Sequence, residues 1–148
     1  MPVDIICRDG GKKFPRRKLK KIALNVLEIV AQDQAELCVA LVGKAEIQKL
    51  NAKFRKKDYA TDVLSFPTEE LPAGVKLLGD VVISVEKAKE QAKETRRTLD
   101  EEMTTLLIHG IVHLLGYDHE RSPKAARTMG RLEKKIYRAL CDRGVLKV

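Results

Sequence analysis

Apolar residues recur along this chain in two rhythms, and the rhythms predict its elements. The run Val3-Asp-Ile-Ile-Cys7 reads as a short strand, closed by Arg8-Asp9-Gly10-Gly11. Leu19, Ile22, Ala23, Val26 and Val30 then follow at intervals of three and four, the stripe of an amphipathic helix. The nearly unbroken apolar run 37–42 predicts a central strand, and Ile47, Leu50 and Phe54 line one side of a second helix. Segments 62–67, ending at a proline, and 78–85 predict two more strands.

From there on the pattern is helical. Residues 86–97, charged and rich in alanine, read as a solvated helix. Thr98 and Glu101 have capping-box spacing and open an apolar helix that runs to Leu115 and stops at Gly116. Ser122 and Pro123 are cap and first residue of a last helix, with Met129, Leu132, Ile136 and Leu140 facing inward until Gly144. Strands mixed with helices early, and helices alone late, predict one α+β domain over residues 1–148. Its architecture is a small mixed β-sheet covered by helices.

Composition narrows the partner. A chain of 148 residues buries a core without disulfides or metal staples. Cys7, Cys38 and Cys141 are odd in number and far apart, which suggests small buried hydrophobes instead of a disulfide framework or a thiolate zinc site. The 29 Lys and Arg residues against 21 Asp and Glu leave a charge of +8, which favours a polyanion. Seven of those cations lie between Lys12 and Lys21. That run is either a solvated helix start or an RNA contact, and cations at a helix N-terminus oppose its dipole, which leans toward the contact. The first residues lack a secretory head, and no apolar run nears the ~18–20 residues of a membrane span. The expected location is cytoplasmic, with no membrane partner.

The chain's three histidines all fall within eleven residues, His109-Gly-Ile-Val-His113-Leu-Leu-Gly116-Tyr-Asp-His119. Positions four apart project from one helix face, so His109 and His113 can share a metal at ~2.0–2.1 Å each. Gly116 can end the helix in a left-handed turn and let His119 supply a third ligand. Three protein ligands leave a position open, as in catalytic zinc sites. The spacing matches the metzincin protease pattern except that Gly110 stands where the general-base glutamate belongs, which counts against peptidase chemistry. A zinc held by these residues would lower the pKa of a bound water and polarise a phosphoryl oxygen. The cation-rich segment Leu50–Pro67, with Lys53, Arg55, Lys56 and Lys57, favours a phosphodiester as the bond attacked.

That histidine motif, the Leu50–Pro67 segment and Leu78-Gly-Asp-Val-Val-Ile-Ser84 together resemble the YbeY family of endoribonucleases. The resemblance implies a zincin-like fold and one Zn2+ per chain on His109, His113 and His119. It also implies cleavage of single-stranded RNA in rRNA processing, notably 16S rRNA 3′-end maturation, and in ribosome quality control. The implied partners are rRNA, the small ribosomal subunit and assembly factors. Arg55 and His113 are the expected catalytic residues. Arg55 has a physical case too, because a guanidinium engages phosphate bidentately and stabilises transition-state charge; its structural alternative is a surface pair with Asp58. Ala60 departs from the family's usual proline, which loosens a turn and leaves the site chemistry alone. Thr61 and Asp62 read as caps, and Asp80 as a bend in the sheet. Asp118 is either an orienting acceptor for an imidazole or a turn residue, and Tyr117 either stacks on a base or closes the pocket, or else packs. A ribosome-binding factor with a structural metal is the competing reading, and a metallopeptidase the third.

Overall fold

In a computed structural model, which describes residues 3–8, 14–67 and 77–146, the predicted elements appear in the predicted order. They are β1 (Val3–Cys7), α1 (Arg16–Ile29), β2 (Glu36–Val42), α2 (Lys44–Arg55), β3 (Val63–Pro67), β4 (Leu77–Ser84), α3 (Val85–Thr95), α4 (Leu99–Leu114) and α5 (Pro123–Asp142). The four strands form one mixed sheet in the order β1-β2-β4-β3, parallel except for β3, which runs antiparallel to β4 at the edge. The fold is thus α+β, as expected.

Strand alternation sends alternate residues to opposite faces of the sheet. On one face Val3, Leu37, Val39, Leu41, Val63, Val81 and Ile83 meet the buried stripes of α1, α4 and α5 in the main core. On the other face Ala40, Val42, Leu64 and Val82 are covered by Ile47 of α2. Helix α4 puts Leu106, Leu107, Ile108, Ile111 and Val112 into the main core. Truncating any such side chain to alanine costs about 2–5 kcal/mol, far more than exposed ion pairs contribute, so packing is what fixes the histidine helix.

The local signals hold. Thr98 Oγ1 accepts from the Glu101 N–H at 3.1 Å while a Glu101 carboxylate oxygen accepts from the Thr98 N–H at 2.8 Å. Those bonds hold the Glu101 carboxyl below its usual range. Ser122 Oγ accepts from the Ala125 N–H at 3.0 Å and caps α5 ahead of Pro123. Four expectations need correction. Ser84 ends β4 and caps α3 through the Lys87 N–H, so the strand stops one residue earlier than its apolar run. Helix α3 is not solvated all round, because Val85, Ala88 and Ala92 are buried. Phe54 does not follow Ile47 inward; it stands 56% exposed at the end of α2. The three cysteines are half-buried instead of fully buried, and burial together with Asp80 and Asp4 pushes the Cys38 thiol up.

The candidate active site

The site is built where three segments meet. The C-terminal half of α4 carries His109 and His113, the turn after it carries Asp118, His119 and Glu120, and the end of α2 brings Arg55. With Val63, Leu64 and Ser65 of edge strand β3, these residues line a pocket of about 160 Å³. A larger cavity, about 470 Å³, lies against Cys7, Phe14, Pro15 and Arg16, but it is largely apolar and gathers no acid–base or ligating set among the described residues. The smaller, polar pocket is therefore the candidate site.

Close approach of α4 to the sheet sets the pocket's floor. Ser65 Oγ donates to the Gly110 carbonyl at 2.9 Å. A Cβ on Gly110 would lie 2.7 Å from Val81 Cγ1, so no larger residue fits without moving β4 or the helix. A side chain at the place of the protease glutamate would therefore collide with the sheet. Just past the C-terminal end of the helix Gly116 has φ +102°, a conformation that favours glycine, and turns the chain so that His119 comes back toward His109.

The histidine rings are held by different partners. His113 Nδ1–H donates to the Tyr117 carbonyl at 2.8 Å. A carbonyl only accepts, so in the neutral ring Nε2 keeps its lone pair. His109 Nδ1 faces a Glu133 carboxylate oxygen at 2.8 Å, a partner supplied by α5. That bond holds the His109 imidazolium above the usual histidine range, against the opposing pull of burial and Arg55. Both helical rings thus have Nδ1 engaged and Nε2 left for a ligand, the arrangement by which outer partners orient metal-binding imidazoles.

The three rings are gathered but not closed. His109 and His113 lie parallel, 6.5 Å between centroids, and the exposed His119 ring is 5.3 Å from His109 and tilted by 59°. As the side chains stand, no three His, Cys, Asp or Glu residues among those described are arranged to hold a metal ion. The donor chemistry nevertheless fits a zinc or similar divalent cation: three imidazoles, two with fixed tautomers, and no competing thiolate.

Arg55 is not paired with Asp58, which takes a hydrogen bond from Gln48. Its guanidinium donates to Glu120 at 2.7 Å, and Lys57 stands 3.6 Å from the same carboxylate. Together they hold the Glu120 carboxyl below its ordinary range. Asp62 is structural: its carboxylate accepts from the Val63 N–H and the Thr61 hydroxyl. Asp118 accepts from the Glu120 N–H in a local turn, and that bond, with the nearby His113, His119 and Arg121, holds its carboxyl below the usual range. Asp80 is exposed on β4, and Tyr117, itself exposed, contributes its carbonyl.

Glu133 and Glu120 were not singled out from sequence. Glu133 carries a usable signal, because it lies four residues after Met129 and three before Ile136, an acid on the apolar stripe of α5. We expect Glu133→Gln to weaken metal binding by about 10–100-fold while leaving the melting temperature within a few degrees. Competition with a zinc-binding dye would measure it, and unchanged affinity would confine Glu133 to a structural role.

Known proteins similar to this chain belong to one family. A family model for endoribonuclease YbeY matches residues 4–141. The endoribonuclease YbeY of Alkaliphilus metalliredigens is 52% identical over 144 residues, covering 90% of this chain and 93% of its own. That of Aquifex aeolicus is 44% identical over 125 residues, covering 84% and 83%. Against a longer relative from Anaeromyxobacter, 47% identical, the match spans 83% of this chain and 64% of the other. A solution structure of a Thermotoga maritima protein, 31% identical, superposes with a TM-score of 0.66 over 95% of this chain and 90% of that one. With a family match across nearly its whole length and relatives of this similarity, the chain belongs to the endoribonuclease YbeY family.

Proposed function

We propose that the histidine pocket is the centre of a zinc-dependent endoribonuclease that cuts single-stranded RNA in rRNA maturation at the small ribosomal subunit. The observation that carries this reading is the pairing of both helical Nδ1 atoms with protein acceptors, which leaves Nε2 free in a pocket shared with Arg55. His109, His113 and His119 would hold the metal. When bound, it supplies Lewis acidity toward a phosphoryl oxygen and activates a nucleophile. Arg55 binds the scissile phosphate: its partner Glu120 is exposed, and exposed pairs of this kind are weak enough for a phosphate to displace. Val63, Leu64 and Ser65 of β3 line the pocket on the side of the sheet.

The test is cleavage of single-stranded and duplex RNA by the purified protein, with chelator and then with zinc restored. We expect cutting of the single strand alone, lost with chelator and regained with zinc. Chelator-resistant cutting would overturn the metal assignment.

The basic residues divide by position. Lys18 pairs with Asp100, so the first turn of α1 lies beside the first turn of α4. From Asp100 to His109 is nine residues, roughly 14 Å along the helix, so this cluster sits away from the histidines. Lys12 and Lys13 lie outside the described residues. Each phosphate neutralised on a single strand adds about 0.7 to the slope of log affinity against log salt. Neutralising Lys53, Lys56 and Lys57 should therefore flatten the slope by up to ~2, and more than neutralising Arg16, Arg17 and Lys20. A salt titration of RNA binding reads both, and a larger change for the α1 triple would move the RNA path to that end of the molecule.

A further inference from the structure

Six aromatic residues, three Phe and three Tyr, are all this chain has. The three that stand exposed, Phe54, Tyr59 and Tyr117, fall in the segments that carry Arg55 and His119. Single exposed apolar side chains are ordinary. Phe54 differs in being built into a platform. Its ring meets that of Phe66 edge to face, 5.1 Å between centroids, and Lys53 Nζ lies 5.2 Å from its centre. Phe66 packs on the small core beneath α2, so the platform has a rigid backing. Phe66 also lies two residues along β3 from Leu64 of the pocket wall, on the same face and roughly 7 Å away. Four cations, Lys53, Arg55, Lys56 and Lys57, surround the ring in sequence.

An exposed ring with a fixed back, beside a phosphate-binding arginine and among cations, has the make-up of a nucleic-acid stacking site, where bases stack on aromatic faces and lysine or arginine follows the backbone. Charge complementarity selects a polyanion over a protein partner. We propose that Phe54 is a base-stacking subsite for single-stranded RNA, holding a nucleotide next to the phosphate that Arg55 grips. This rests on the reading of the histidine pocket as the cleavage centre.

Phe54→Leu keeps an apolar cover over Phe66 but offers no flat face. We expect it to raise KM for a short single-stranded poly(A) oligonucleotide about tenfold, with kcat within about twofold, the loss of one stacked base. For an oligomer of ribose phosphates without bases, wild type and variant should bind equally. Because the chain has no tryptophan, Phe54→Trp adds a lone fluorophore. Its emission should be quenched by poly(A) and not by the baseless oligomer. Wild-type kinetics in Phe54→Leu, or equal quenching by both oligomers, would overturn the inference and leave the exposed ring to a protein partner or to packing. If the wild type binds single-stranded RNA without cutting it, the proposed function fails and the quenching comparison still decides the stacking site.

Discussion

Replacing His113 by alanine should reduce bound zinc from one per chain to background and abolish RNA cleavage, with little loss of fold. Its ring sits half-buried at the mouth of the pocket, and its recorded bond is to the Tyr117 carbonyl. The core that holds α4 in place consists of other residues, Leu107, Ile108, Ile111 and Val112 among them. Loss of the ring removes a ligand and the anchor of the Tyr117 turn at once, so His119 is displaced as well. Metal analysis and the melting temperature of the same preparation separate the two effects. A variant that keeps stoichiometric zinc would remove His113 from the ligand set.

Arg55→Ala should leave metal content and melting temperature near wild type and lower kcat/KM by about 10²–10³-fold, the usual loss when one donor to a developing anion is deleted. Arg55 is exposed at the end of α2, and its side chain pairs with the exposed Glu120. Its partner Glu120 can return to water, which is why little stability goes with it. Arg55→Lys should rescue little, since a point charge does not replace a planar fork of donors. Full activity in either variant would exclude Arg55 from phosphate binding.

Most of the architecture was legible because its signals are local. The 3.6-residue stripes of α1 and α5, the Thr98–Glu101 box and the Ser122-Pro123 start each specify an element from a few neighbouring residues. The sheet order was not, because a strand's neighbours depend on contacts distant in sequence. The histidine triad was legible for the same local reason, being confined to one helix and one turn. Its supporting groups were not: Glu133 reaches His109 across 24 residues and Glu120 reaches Arg55 across 65. Phe54 shows the limit of periodicity. It keeps the spacing of Ile47 and Leu50, yet one residue before the helix ends it meets only the edge strand, through Phe66, and stays 56% exposed. Gly110 shows the converse. In sequence it marks a missing base, and only the distance to Val81 explains why that place must stay empty of a side chain.

The central claim is that one metal on His109, His113 and His119 enables RNA cleavage. The most direct measurement is a zinc titration of metal-free protein, following single-strand cleavage and bound metal together. Activity should rise in proportion to occupancy and level off at one zinc per chain, while the His113→Ala protein stays flat throughout. Full cleavage before any zinc is added, or a plateau that His113→Ala also reaches, would contradict it.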